Sequence, residues 1–86
     1  MDNCNYEVVE KIEILNEMCV EALSKIYHYM IDKNISNADK KNPMTILYSN
    51  ITRIKNDIYS PVNDLKMIEG FLLYIIKYLN EVDSDE

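Results

Sequence analysis

The sequence predicts an all-α fold, a three-helix bundle, and two observations support that prediction. Over most of the chain, apolar residues recur at spacings of three and four, which is the period of one buried helical stripe. The 86 residues include one glycine and two prolines, and both prolines stand directly before a helical pattern. Nothing in the sequence signals a sheet. Amphipathic helices joined by short turns bury their stripes against one another, so we expect helices at about residues 6–33, 43–59 and 61–82.

The first two predicted helices meet at a polar segment, DKNISNADKKNP. Its Asn, Ser and Asp side chains compete for backbone hydrogen bonds, and Pro43 suits the first turn of a helix because its missing N–H would be unpaired there anyway. The predicted core stripe of helix one comprises Val8, Ile12, Leu15, Cys19, Ala22, Ile26 and Met30. That of helix two comprises Ile46, Leu47, Ile51, Ile54 and Ile58.

The third helix is predicted from the segment YSPVND, in which Ser60 can cap the helix and Pro61 can open it. Gly70 lies inside this helix and costs about 1 kcal/mol relative to alanine, which predicts a close approach by another helix. The core stripe of helix three comprises Leu65, Ile68, Leu72, Ile75, Ile76 and Leu79.

Size and charge favour a protein-binding module over an enzyme. A chain of 86 residues makes one domain, residues 1–86, whose core is only marginally sufficient, so docking onto another chain would add stability. The net charge of −6 repels nucleic-acid phosphate and suits a basic protein surface. Two cysteines are too few for a disulfide framework, and the most apolar run, GFLLYII, is too short to span a bilayer. We therefore expect a cytoplasmic protein that binds neither nucleic acid nor membrane.

The acidity is concentrated in one row on helix one. Glu10, Glu13, Glu17 and Glu21 are three and four residues apart, so these four carboxylates, called here the glutamate row, lie on one face. Each close pair weakens the helix by roughly 0.2–0.5 kcal/mol. Tyr6 extends the row by the same spacing, which favours a contact surface. A simple solvated helix face explains the charges equally well.

No pattern in the chain indicates catalysis or a metal site. His28 is the only histidine, and no second histidine or cysteine stands beside it at the spacing of a zinc site. The sequence contains no glycine-rich phosphate loop and no serine or cysteine placed to pair with the histidine. We expect no enzyme activity, no metal and no cofactor. Seven tyrosines are many for this length and fit either the edge of the core or interface anchors.

Three segments carry a resemblance to a known family. The segments are YEVVEKIEILNE at residues 6–17, LSKIYHYMIDKNISNAD and DLKMIEGFLLYIIKYL. They are similar to the epsilon antitoxins of the epsilon/zeta toxin–antitoxin systems of Gram-positive plasmids. The similarity covers roughly the whole chain and is looser through helix two. It lies in a pattern of Tyr, Glu, Ile, Asn and Asp positions.

The resemblance implies an antitoxin with a three-helix bundle. Such proteins bind the zeta toxin, a P-loop kinase of UDP-N-acetylglucosamine, in a complex of two antitoxins and two toxins, and serve plasmid maintenance by post-segregational killing. The amino-terminal helix blocks the toxin's nucleotide site. The resemblance places the toxin-binding residues at Tyr6, Glu7, Glu10, Glu13, Asn16 and Glu17, with Tyr6 and Glu13 as leading contacts. Lys11 departs from the pattern by introducing a positive charge.

Two other functions remain open from the residues alone. A bacteriocin immunity protein is also a small helical bundle, but the acidic end EVDSDE does not suit work at a membrane-embedded receptor. A phage-encoded acidic inhibitor that mimics DNA would need two rows of acids at phosphate-like spacing, and the sequence provides one clear row.

Overall fold

The protein folds into three α-helices. A computed structural model describes residues 3–60 and 64–84, and the side chains of residues 7–60 and 64–82. Helix α1 spans Asn3–Asp32, α2 spans Pro43–Asn56 and α3 spans Leu65–Ser84. No strand occurs within these ranges. The prediction of an all-α three-helix bundle is confirmed.

Helix α1 is the centre of the bundle. Its Cα atoms come within 8 Å of both α2 and α3, whereas no Cα of α2 comes that close to α3. Side chains fill part of the space between α2 and α3, leaving one groove between Arg53 and Met67 and another between Pro43 and Tyr78. The end of α2 therefore lies beside the start of α3, and these two helices run antiparallel.

The core is one cluster to which all three helices contribute. Complete burial of one large apolar side chain contributes about 1.5–3 kcal/mol to stability relative to leaving that side chain exposed. The predicted stripes supply most of it. The buried residues are Ile12, Leu15, Cys19, Ala22, Ile26, Met30, Met44, Ile51, Ile58, Ile68, Leu72, Ile75 and Leu79.

Two residues assigned to the core by their spacing are exposed instead. Val8 is 46% exposed because α1 outreaches its neighbours, and Ile46 is 46% exposed because it faces the groove between α2 and α3. Met44 takes the place in the core that the sequence had assigned to Ile46, and is only 4% exposed.

Three helix ends differ from the predicted ones by three residues or more. Helix α1 begins at Asn3, three residues before the predicted start. Helix α2 begins at Pro43 as predicted, with Asn42 Oδ1 accepting from the Met44 N–H at 2.9 Å, but it ends at Asn56 and not at residue 59. Asp57 leaves helical geometry, at φ −107° and ψ 14°, and a turn follows.

The predicted start of α3 was wrong. The helix begins at Leu65, where the Asp64 carboxylate accepts from the Met67 N–H at 3.2 Å and so supplies the cap. Ser60 lies five residues before the helix and cannot cap it. Pro61 lies outside the described residues. Asp64 fits the role because its side chain reaches the third residue of the helix.

Gly70 lies at an exposed position of α3, and no helix in the described part of the chain packs against it. A Cβ built on Gly70 would meet no atom of the described neighbouring residues within 4 Å. The expected close approach by another helix does not occur among the described residues.

Cys19 is a free thiol buried in the core, as the apolar pattern indicated. Burial raises the pKa of the Cys19 thiol above its ordinary value, while the positive charge of Lys55 acts in the opposite direction. The thiol therefore stays protonated at neutral pH. The side chain of Cys4 lies outside the described residues.

Helix α1 ends in a Schellman motif. Asn34 has a positive φ of 59°, and its N–H donates to Ile31 O at 3.1 Å. The Ile35 N–H donates to Met30 O at 2.8 Å, and Ile35 packs against the core. These are the two backbone bonds and the apolar contact that define this helix end.

Replacing Asn34 tests this helix end. Asn34→Ala should lower the free energy of unfolding by about 1 kcal/mol. The left-handed conformation is unfavourable for alanine, which lacks the local hydrogen bonding that asparagine offers. Asn34→Gly should not lower it, because glycine adopts this conformation freely. Urea titration of both variants measures the difference. Equal stability of the two variants would mean that the backbone at residue 34 is not left-handed.

Candidate functional site

The amino-terminal end of α1 is exposed on every side. Glu7, Val8, Val9 and Glu10 are four successive exposed residues, which on a helix cover all directions around the axis. Helix α1 has 30 residues, or about 45 Å, whereas the 20 residues of α3 span about 30 Å and the 14 of α2 about 21 Å. The neighbouring helices therefore cannot cover all of α1, and its first turns form a projecting end.

The glutamate row lies on the face of α1 that points away from the core. Glu10, Glu13, Glu17 and Glu21 are all exposed. The buried residues of α1 occupy the opposite face, which packs against α2 and α3. The four carboxylates are therefore available together to a partner along about three turns of helix.

The other sequence-predicted site residues are placed less uniformly. Glu7 is exposed and lies at the edge of the row, three residues before Glu10, whereas Asn16 is half-buried at the border with the core. Tyr6 belongs to α1, and its side chain lies outside the described residues. The structure thus groups Glu10, Glu13 and Glu17 on one face.

Lys11 does not neutralise the glutamate row. Its Nζ donates to Glu69 Oε1 of α3 at 2.8 Å, and the two side chains are 40% and 36% exposed. A partly exposed pair of this kind contributes about 0.2–1 kcal/mol to stability. This ion pair lies near the projecting end and connects α1 to the first turns of α3. It also directs the positive charge of Lys11 away from the row.

Exposed apolar side chains flank the glutamate row, and the sequence reasoning missed them. Val9 and Val20 lie along one side, and Ile14 lies on the other; they are 48%, 49% and 51% exposed. In the sequence, these three apolar residues fall outside the single stripe that forms the core, and this position is the signal that they are exposed. Carboxylates bordered by exposed apolar groups resemble a protein-binding surface more than a simple solvated face.

The face continues beyond the row towards the end of α1. Ser24, His28 and Ile31 extend it at helical spacing, and they line a shallow depression together with Val20 and Glu21. The His28 ring packs edge-on against Tyr27 with centroids 5.9 Å apart. No group of three His, Cys, Asp or Glu side chains within residues 7–60 and 64–82 could hold a metal ion.

No helix in the described part of the chain is both long and apolar enough to cross a membrane.

Comparison with protein families shows where the chain belongs. The family model described as bacterial epsilon antitoxin matches residues 4–82. The chain belongs to the bacterial epsilon antitoxin family. The searches of curated proteins and of solved structures found no match to it. The match spans all three helices, including the glutamate row on α1.

Membership of the epsilon antitoxin family indicates the general role of the protein. An antitoxin belongs to a toxin–antitoxin system, so family membership implies a toxin as the partner of this protein and a role as its inhibitor.

Proposed function

We propose that this antitoxin neutralises a zeta-type toxin, a P-loop kinase of UDP-N-acetylglucosamine, by placing the projecting end of α1 in the toxin's nucleotide-binding site. The observation that carries the proposal is the exposure of α1 on all sides from Glu7 to Glu10, with the glutamate row continuing behind it. An end of this shape can enter a cleft.

The chemistry of a nucleotide-binding site suits this end. Lysine, arginine and backbone N–H groups cradle the phosphates of the nucleotide in such kinases. A carboxylate can accept the same hydrogen bonds, and charge-assisted bonds of this kind are the stronger ones. Glu10, Glu13 and Glu17 are the proposed phosphate substitutes. Tyr6 and Glu13 are the proposed leading contacts with the toxin. Glu7 and Asn16 lie at the border of this contact surface.

The remaining features of the proposal concern the assembly. Two antitoxins and two toxins form the complex, in the cytoplasm, and the system serves plasmid maintenance by post-segregational killing. The antitoxin acts through protein contacts alone, without binding nucleic acid or membrane. A DNA-mimicking inhibitor is a poorer explanation, because exposed Val9, Ile14 and Val20 border the carboxylates where such a mimic would need a second acidic row.

Co-expression tests the proposal directly. Cells that produce a zeta-type kinase should resume growth when this chain is co-expressed, and the two proteins should purify as one complex. A panel of zeta-type toxins should be used, with a catalytically inactive kinase as the control for growth. If the chain neither rescued growth nor bound any of these toxins, the proposed partner would be wrong.

The affinity of the complex should fall as salt concentration rises. Exposed charges are screened over about 8–10 Å near physiological ionic strength, and several carboxylates contribute here. Titration calorimetry of the complex between about 50 and 500 mM NaCl measures the dependence. An affinity independent of salt would mean that the apolar flank at Val9, Ile14 and Val20 dominates binding.

A further inference from the structure

The ion pair between Lys11 and Glu69 joins α1 to α3 at the base of the projecting end. The Lys11 Nζ lies 2.8 Å from Glu69 Oε1. Lys11 directly precedes Ile12, the first buried residue among the described side chains of α1. Glu69 directly follows Ile68, which belongs to the same core cluster as Ile12. The pair therefore lies at the level where the core ends and the projecting end begins.

The core contact and the ion pair hold α1 in different ways. Burial of an apolar side chain such as Ile12 is non-directional, whereas a charge-assisted hydrogen bond requires a defined distance and angle. Lys11 lies about 100° round the helix from both Glu10 and Ile12. Its bond to α3 therefore restrains both the tilt of α1 and the rotation of α1 about its own axis. The direction in which Glu10 points is thereby restrained relative to α3.

A small movement at Lys11 becomes a large one at the tip of α1. From Lys11 back to Asn3 the helix extends about 12 Å, so a tilt of about 10° displaces the first turn by about 2 Å. Val8 and Val9 are 46% and 48% exposed, so only part of their surface packs against the chain and opposes such a tilt. A hydrogen bond from a partner to this end is lost over a smaller distance than that.

The ion pair also determines where the positive charge of Lys11 lies. Glu7 is exposed four residues before Lys11, and a glutamate at that spacing is a favourable partner for a lysine on a helix. A Lys11 side chain released from Glu69 is free to turn towards Glu7, at the edge of the glutamate row, and to offset part of the negative charge there. While the pair is intact, the row keeps its full negative charge.

We propose that Lys11 and Glu69 are positioning residues for toxin binding, which hold the projecting end of α1 in the direction at which the glutamate row meets the toxin. The inference rests on the proposed function and adds to it a residue of α3, Glu69, which acts through Lys11 rather than by touching the toxin. It also gives a use to the lysine that departs from the acidic pattern of α1, because its partner carboxylate lies on α3.

Charge reversal at Lys11 separates positioning from simple electrostatic attraction. Lys11→Glu makes the antitoxin more acidic, so attraction to a basic nucleotide site alone predicts tighter toxin binding. Positioning predicts the opposite. At about 300 mM NaCl, where long-range attraction is screened, Lys11→Glu should bind a zeta-type toxin about two- to fivefold more weakly, the range that a partly exposed ion pair supports. Surface plasmon resonance should show the change mainly as faster dissociation.

Reversing both charges provides the rescue. The double variant Lys11→Glu/Glu69→Lys restores the pair with its signs exchanged and should bind the toxin within about twofold of the wild type. Tighter binding by Lys11→Glu alone, or no recovery in the double variant, would overturn the proposal. Circular dichroism checks that every variant is folded. Lys40→Gln, which removes an exposed lysine between α1 and α2, is the matched control and should leave the affinity unchanged.

A double-mutant cycle with glutamine shows whether Glu69 acts through Lys11. Lys11→Gln and Glu69→Gln should each weaken toxin binding by about twofold. The variant with both substitutions should bind no more weakly than either single variant, because the same contact is lost in all three. Additive effects of the two substitutions would mean that Glu69 contacts the toxin itself, and the inference would be wrong.

Residual dipolar couplings of the free antitoxin separate failure of this inference from failure of the proposed function, because they need no toxin. The couplings of the amides of residues 7–10 should shrink in Lys11→Glu relative to those of residues 15–26, since an end that tilts averages its N–H directions. They should recover in the double charge reversal. Unchanged couplings would overturn the inference. If the couplings changed as expected while no zeta-type toxin bound the wild-type chain, the proposed function would fail and the restraint of the projecting end by the pair would stand.

Discussion

A variant with Glu10, Glu13 and Glu17 replaced by glutamine is expected to bind its toxin about 100-fold more weakly and yet to be slightly more stable. Each glutamine can still form a hydrogen bond, but the charge-assisted part, about 1 kcal/mol per contact, is lost. The gain in stability arises because neighbouring carboxylates repel each other in the free helix, by roughly 0.2–0.5 kcal/mol per pair. Calorimetry with the toxin and urea titration of the free protein measure the two effects.

A single substitution outside the row controls for the loss of a carboxylate elsewhere on the surface. Glu81→Gln removes a carboxylate from an exposed position of α3 and should change toxin affinity less than about twofold at physiological salt, because distant charges are screened. If the triple variant bound as tightly as the wild type, the glutamate row would not contact the toxin.

Alanine at Leu15 and at Val8 is expected to have opposite consequences, although both residues belong to one apolar stripe in the sequence. Leu15 is fully buried, so Leu15→Ala should cost about 2–5 kcal/mol, much of the stability of so small a protein. Val8 is 46% exposed, so Val8→Ala should change stability by less than about 0.5 kcal/mol. Val8→Ala should nevertheless weaken toxin binding, because Val8 belongs to the projecting end.

Urea titration and a binding assay on both variants check this contrast. A loss of more than about 2 kcal/mol in Val8→Ala would mean that the first turns of α1 are packed rather than projecting.

The sequence predicted those parts of the fold that depend on local pattern. The stripe from Ile12 to Met30 is buried, and Pro43 opens α2. These features depend on the helical period and on backbone chemistry near one residue, both of which can be read from a single sequence.

The errors arose where the answer depends on neighbouring helices. Val8 continues the stripe perfectly, yet it is 46% exposed because the neighbouring helices do not cover the first turns of α1. Ser60 and Asp64 are both good caps, and periodicity does not choose between them. The apolar flank at Val9, Ile14 and Val20 was overlooked because one stripe already accounted for the core. The face of the glutamate row was predictable, whereas its apolar border became visible only with the exposure of each side chain.

Competition between nucleotide and antitoxin for the toxin tests the central claim most directly. The dissociation constant of the antitoxin–toxin complex should be measured at increasing concentrations of a non-hydrolysable ATP analogue. If the projecting end of α1 occupies the nucleotide site, the apparent dissociation constant should rise in proportion to the analogue once the analogue saturates the free toxin. An apparent dissociation constant that stays the same at saturating analogue would contradict the account, because both ligands would then bind the toxin at once.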